Sequence, residues 1–409
     1  MNTKITQELR KKLSGNFRRM FFIQAFQNIR MINVVVTLFY VFRGLNLTQV
    51  FYLSIIWSIT NIIFEVPSSY LADRWGRKKT IIFGTLLYFF SCIIPIFAHS
   101  FLLFAISIFL YALSFACFSG TDDAIIYDTN RELGQHEDSL RRLGQYYSSQ
   151  RVFKILAPFV GAFLARDLNN AQFVLLLMID VVFALVGVVL SFKLVEPKHH
   201  YLEVEKIEAG VMRDALKLIK NNPHLIRAII NQSLIFIASF ITWRYHQVLF
   251  TDWGLSVLML GIGWSVYHFF AFILSYFCNR FWSKTSTEAT INILNFLQVL
   301  FAIVFLVDWY FKTNVYWLFV MFLLYGLAET ARWPFFSHLF NKHSNSFNRA
   351  TTLSLSNLTQ NILNTPMLFL AGILVAKGMI YPFYLSLFLV VFVGVVFYLP
   401  SRIKIEKIK

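Results

Sequence analysis

Charge is scarce in this chain. Asp, Glu, Lys and Arg make up 14% of its 409 residues, against about 25% in soluble domains. Cysteine is rarer still: Cys92, Cys117 and Cys278 stand singly in apolar runs with no CxxC spacing. That excludes a disulfide framework and a thiolate metal site. Also missing are GxxxxGK[ST], HExxH and GxSxG, so neither nucleotide-driven chemistry nor a hydrolytic site is legible. No cofactor and no metal are implied. What fills the chain is apolar, with 57% hydrophobic residues and 46 Phe. A soluble globule needs a polar shell that this composition does not provide. A soluble enzyme, a disordered tail and a nucleic-acid binder are excluded, and an integral membrane protein remains.

About 20 apolar residues cross the hydrocarbon as a helix. Twelve such spans are expected, numbered in chain order: about 20–42, 48–72, 79–98, 101–125, 145–165, 171–193, 226–250, 255–279, 288–308, 314–338, 350–376 and 379–400. The basic N-terminus precedes an apolar run without a small-x-small cleavage site, which reads as a retained first span rather than a signal peptide. The fold class is thus an all-α integral membrane protein of twelve transmembrane helices in two six-helix halves. The expected division is 1–192, a charged cytoplasmic linker at 193–227, and 228–409. Within the linker, Val211, Met212, Ala215, Leu216 and Ile219 recur at helical spacing, which predicts an amphipathic surface helix. Two halves joined by one loop suggest an internal repeat.

The net charge of +16 is explained by its placement. Most Lys and Arg fall on one set of loops, while the other set holds only Arg43, Arg166, Lys312 and Lys377. The positive-inside rule then puts both termini in the cytoplasm, and no nucleic acid is needed.

The sharpest local signal runs from Glu65 to Lys79, EVPSSYLADRWGRKK, at the end of span 2. It resembles the loop 2–3 signature of the major facilitator superfamily, G-x-L-x-D-R-x-G-R-K. Leu71, Asp73, Arg74, Gly76, Arg77 and Lys78 match, and Ser69 replaces the leading Gly. The Glu-x-Pro-Ser stretch, Ser119–Asp128 and Arg349–Leu355 resemble a bacterial branch rich in drug exporters and permeases. The resemblance implies a conformational latch of Asp73, Arg74, Gly76, Arg77 and Lys78 with Asp128 on span 4. Span 5 retains only Pro158 and one Gly of the exporter motif, and span 4 carries no basic residue.

Ionisable residues inside spans are functional candidates, because a charge there is costly unless paired or wetted. They are Arg30 on span 1, Glu65 on span 2, Asp122 and Asp123 on span 4, Arg244 and His246 on span 7, and Glu329 and Arg332 on span 10. The resemblance implies that spans 1, 4, 7 and 10 line a central cavity. Glu329 and Arg332, three apart, are expected on neighbouring faces, either as a local pair or as a substrate or proton site. Arg30 is expected to pair with an acid of span 4 or 2. The acids rank as proton carriers in the order Asp123, Glu329, Asp122, Glu65. Asp180, midway along span 6, is assigned no role.

Uncharged lining comes from Gln24, Gln27 and Asn28 on span 1. Asn357, Gln360, Asn361 and Asn364 add a stripe on span 11, and Trp243 and Trp333 an aromatic wall. The expected function is secondary active transport by alternating access. Proton-coupled efflux of small amphiphilic compounds comes first, proton-coupled uptake of a polar metabolite second, and a polytopic enzyme or receptor a remote third. The expected partners are a small-molecule substrate, protons and the lipid bilayer. The expected setting is a monomer in a bacterial plasma membrane.

Overall fold

The computed structural model describes residues 7–135, 139–197, 222–277, 285–312, 314–343 and 349–400. The surface helix expected over Val211–Ile219 lies outside them. Every regular element among the described residues is helical. Ten helices are long and apolar enough to cross a membrane, and two shorter apolar ones, Phe153–Leu164 and Tyr381–Val396, bring the number to the expected twelve.

The sequence explains where the helices begin. Asn46 accepts from the Gln49 backbone while the Gln49 side chain returns the bond, a capping box at the start of α3 (Leu47–Trp75). Asn169, Asn222, Ser286 and Asn314 cap α8 (Asn170–Phe192), α9 (Pro223–Trp243), α12 (Thr287–Phe311) and α13 (Val315–Thr330) by accepting from the backbone N–H of Gln172, Leu225, Ala289 and Tyr316. Each polar cap satisfies an N–H that the first turn leaves open.

The described residues fall into two compact units. One holds the described residues up to Pro197 with Ser256–Ser265, and the other holds the remaining described residues from Asn222. In the first, α4 (Arg77–Phe97), α5 (Phe101–Phe118) and α8 pack together. Ser107 donates to the Ser91 carbonyl at 2.8 Å and Ser114 to the Gly84 carbonyl at 2.7 Å. Helices in lipid gain little from burying Leu against Leu, so close approach and hydrogen bonds bind them instead. In the second unit, Gln298 donates to Ser239 at 2.9 Å, and Tyr325 meets Ser386 at 2.6 Å. Large apolar side chains such as Phe97, Leu102 and Val395 point outward, the reverse of a soluble core.

Four of the twelve spans are interrupted. Span 1 is α1 (Gln7–Asn28), a 3-10 turn at Met31–Val35 and α2 (Val36–Phe42). Span 4 is α5 and α6 (Thr121–Glu132), broken at Ser119–Gly120. Span 7 is α9 and α10 (His246–Asp252), broken at Arg244–Tyr245. Span 10 is α13 and α14 (Trp333–His343), broken at Ala331–Arg332. The continuous spans expected from hydropathy are corrected at these four places, since composition does not register a lost backbone bond.

Gly161, on α7 (Ser139–Leu164), explains one packing constraint. A β-carbon there would sit 2.5 Å from the Met31 carbonyl oxygen and 3.1 Å from Val34. The glycine that span 5 keeps from the exporter-like motif is thus the one that lets α7 lie against the interruption of span 1. Gly161→Val is expected to destabilise the protein by about 1–3 kcal/mol through overpacking. Gly187→Ala, where nothing lies within 4 Å, serves as the control. Thermal unfolding in detergent checks this: a lowered midpoint for Gly161→Val alone is the expected outcome.

Candidate functional site

The charged residues of spans 1, 4, 7 and 10 sit at or beside the interruptions. At span 1 the backbone turns extended at Arg30, with φ −112° and ψ 98°, leaving the next N–H groups without helical acceptors. Asp180 on α8 fills that gap. Its carboxylate accepts from Met31 N–H at 2.7 Å and from Ile32 N–H at 3.3 Å. On the other side of the break, the Tyr88 hydroxyl donates to the Gln27 carbonyl at 3.1 Å. Arg30 lays its guanidinium 4.6 Å over the Tyr111 ring, a cation–π contact. Asp180, only 1% exposed, thereby acquires a structural role, and among the described residues no ion pair joins Arg30 to Asp122.

At span 4 the chain turns through Gly120 at φ +76°, a left-handed conformation that glycine adopts without strain. Asp122 is buried there. One carboxylate oxygen accepts from Asp123 N–H at 2.8 Å, and the other lies 2.7 Å from the Tyr146 hydroxyl. That hydroxyl also lies 2.9 Å from the Gln24 side-chain oxygen. A phenol has one hydrogen to give. Both contacts close when Asp122 brings a proton of its own, or when Gln24 turns its amide nitrogen toward the phenol. Asn28 bonds within its own helix, to the Gln24 carbonyl at 2.8 Å.

In the second unit, the Arg244 guanidinium lies 4.3 Å over the Phe240 ring. His246 Nδ1 meets the Trp243 carbonyl at 2.7 Å, and its ring stacks on Phe322. At span 10 the expected i, i+3 neighbours part company, because the helix breaks between them. The Glu329 carboxylate accepts from Trp333 Nε1 at 3.0 Å and from the Thr330 hydroxyl at 3.2 Å. Arg332, 1% exposed, donates to Asn295 at 2.7 Å, and Asn295 donates to Asn231 at 3.3 Å. Each charge has its own partners, and no ion pair joins the two among the described residues. Trp243 stands edge-on to Tyr267, whose hydroxyl is 2.6 Å from Thr330. The stripe on α15 (Arg349–Lys377) grades from exposed Asn357 through half-buried Gln360 and Asn361 to buried Asn364.

The loop-motif residues gather at a third place. Gly76 adopts φ +97° between α3 and α4, so a side chain there would be strained. Arg77 pairs with buried Asp128. Glu196, beyond span 6, accepts from the Arg77 and Lys78 backbone N–H groups at 2.8 and 2.7 Å. A carboxylate at a helix N-terminus meets both open donors and the positive end of the dipole. Asn16 fixes the approach of that segment by bonding the Val195 carbonyl at 2.8 Å and the Val195 N–H at 3.0 Å. Arg74 is exposed and donates to Tyr70 at 3.1 Å. The backbone of Asp73 is helical, and its side chain lies outside the described set. Glu65 is half-buried, two residues before Pro67.

Sequence reasoning missed Glu196, Tyr146, Asn16 and Asn295. A Glu-Pro pair directly after span 6 and a Tyr among polar residues in span 5 were the available signals. A repeat was also legible. Gly44-Leu45-Asn46 and Gly254-Leu255-Ser256 follow the seven-residue helices α2 and α10 with φ of +91° and +90° at the glycines. In both, the Leu N–H closes onto an aromatic carbonyl, Tyr40 or Phe250, at 3.0 and 2.9 Å.

Interrupted apolar spans carrying buried, partnered charges are a pattern found in secondary transporters. The model of the Major Facilitator Superfamily matches residues 20–287, and the chain belongs to that family. A curated relative, an uncharacterized transporter of Buchnera aphidicola subsp. Schizaphis graminum (strain Sg), is 23% identical over 223 residues, or 54% of this chain. The chain spans about half, 53%, of that relative's length. Among solved structures, a D-xylose-proton symporter matches with TM-score 0.73 at 13% identity, covering 97% of this chain and 98% of its own. The nucleoside transporter NupG matches with TM-score 0.70 at 13% identity, over 93% and 98%. A bacterial homolog of the human lysosomal transporter Spinster, inward-facing and unoccupied, matches with TM-score 0.72 at 14% identity, over 95% and 96%. At such identities these likenesses show the shared fold.

Glu196→Ala removes the acceptor of two N–H groups at the start of α4. A loss of about 1–3 kcal/mol is expected, with α4 otherwise intact. Thermal unfolding checks it, and Glu196→Gln, which keeps one acceptor oxygen, is expected to fall between the two.

Proposed function

We propose that the protein is a secondary active transporter that alternates access between the two sides of a bacterial plasma membrane and exports small amphiphilic compounds in exchange for protons. Both termini are cytoplasmic in this reading, and the protein works as a monomer. The observation that carries it is the buried Asp122–Tyr146–Gln24 set at the interruption of span 4. An acid held by a phenol that also faces an amide exchanges a proton through small rotations, and neutralising it changes which contacts the break can keep. Glu329, held by Trp333 and Thr330 at the equivalent break of span 10, is the second carrier. The Arg77–Asp128 pair and the Glu196 tie support the latch role of the loop motif, because removing one partner of a buried pair leaves an uncompensated charge.

A second reading, proton-coupled uptake of a polar metabolite, is favoured by the Asn357–Asn364 stripe, whose amides offer hydrogen bonds rather than an apolar wall. Purified protein in liposomes with a trapped pH dye separates the two. Export is expected to move substrate and protons in opposite directions, and uptake in the same direction. Asp122→Asn is expected to lower proton-driven flux by at least tenfold while substrate exchange without a gradient continues. Unchanged gradient-driven flux in both Asp122→Asn and Glu329→Gln overturns the proton assignment.

A further inference from the structure

A cavity of about 320 Å³ opens in the first unit among α1, α6 and α7, beside Phe17, Arg18, Phe21, Ile126, Arg142 and Tyr146. This lies at the small end of the range of about 300–1,000 Å³ seen for ligand sites. It stands at the end of the unit that carries the loop motif, since Ile126 is two residues from Asp128, the partner of Arg77. Among the described lining residues the charge is of one sign: two arginines and no acid.

The geometry of Arg142 gives the cavity a chemical preference. The guanidinium lies 4.6 Å over the Phe17 ring, which holds its plane flat. One terminal nitrogen makes a long 3.4 Å bond to Gln145. The Nε–H is buried and has no acceptor among the described residues. A buried donor without an acceptor is unfavourable, and a planar anion that supplies two oxygens relieves it. Exposed Arg18, one residue from Phe17, adds a second positive charge. The remaining lining is apolar or aromatic: Phe21, Ile126 and the ring of Tyr146, itself 2% exposed. An inorganic anion leaves those walls uncovered, and a neutral apolar compound leaves Arg142 Nε–H unpaired. An organic cation meets two like charges.

We propose that this cavity binds an organic anion, a carboxylate or phosphate group carried on an apolar body, with Arg142 and Arg18 holding the charge and Phe17, Phe21 and Ile126 the body. The proposal rests on the transport reading above and narrows its amphiphile to an anionic one. The same chemistry is found in a free organic acid and in the headgroup and upper chain of an anionic lipid.

The test is equilibrium dialysis on the full-length protein in phosphatidylcholine nanodiscs. The two probes share one apolar body and carry opposite charge: 2-naphthoate and 2-naphthylmethylammonium. The expected result is saturable naphthoate binding, at least tenfold tighter than that of the cation. Arg142→Gln is expected to weaken it by at least tenfold. Arg18→Gln should act in the same direction by a smaller factor, and Arg142→Lys should retain part of the affinity. Equal binding of the two probes overturns the proposal. So does unchanged naphthoate affinity in an Arg142→Gln protein that elutes and unfolds like the parent. Replacing part of the lipid with phosphatidylglycerol separates the sources: displacement of naphthoate supports the site with lipid as its ligand, and undisturbed binding supports it with a free acid. Arg142-dependent binding without naphthoate flux in liposomes keeps the site and removes the transport reading. Naphthoate flux that ignores Arg142 keeps transport and removes the site.

Discussion

The constraint on which the structure depends is that a backbone N–H inside hydrocarbon must find an acceptor, because no water supplies one. A straight helix meets it automatically, and an interrupted one does not. At span 1 the acceptors are the two oxygens of Asp180, brought from α8. The exposed carbonyl side is met by Tyr88. The close passage of α7 at Gly161 then packs the interruption from a third direction. A carboxylate in lipid is expensive, and here two N–H donors and a nearby guanidinium offset that expense. Side chains meet the other breaks in different ways. His246 Nδ1 takes up a freed backbone carbonyl, that of Trp243, at span 7, and the Glu329 and Trp333 side chains bond to each other across the break of span 10.

Interruptions of this kind join stability to function. A continuous helix transmits a shift along its length, whereas a broken one lets its two parts turn separately. In the proposed reading, protonating an acid at a break changes the hydrogen bonds it can make and so biases which arrangement the break adopts. Asp122 and Glu329 occupy such positions, the first hydrogen-bonded to a phenol and the second to an indole. Arg332 is tied instead to Asn295 and through it to Asn231. That chain of amides holds the cation in place while the acid three residues away keeps its own hydrogen-bond donors.

Much of the architecture was legible in the sequence. The start of α3 at Leu47 follows from the Asn46 and Gln49 pair, and the start of α9 follows from Asn222-Pro223. Hydropathy placed most span ends within a few residues because burial in lipid acts on composition, but not the start of span 1, whose helix begins at polar Gln7, nor the end of span 4, which runs on to Glu132. The break at Ile29-Arg30 was not legible, since no proline or glycine marks it, whereas Pro334, which has no N–H to bond the Thr330 carbonyl, marks the one at Ala331-Arg332. Gly120 did mark one, and the paired Gly44 and Gly254 marked a repeat. Roles that depend on a distant partner were hidden as well. Asp180 is unassignable until its carboxylate is seen on Met31 and Ile32, and Glu196 until it is seen on Arg77 and Lys78. Glu329 and Arg332 read as a pair only under the assumption of an unbroken helix.

The central claim is that a carboxylate on span 6 holds the interruption of span 1. Hydrogen–deuterium exchange on the protein in nanodiscs tests it most directly, by comparing peptides that cover residues 29–36 in the parent, Asp180→Asn and Asp180→Leu. The account predicts that exchange at Met31 and Ile32 quickens by about tenfold, or ~1.4 kcal/mol, in Asp180→Leu. Asp180→Asn should lie in between, and peptides of α3 should be unaffected. Unchanged exchange over 29–36 in an Asp180→Leu protein that elutes as a single folded species would contradict it.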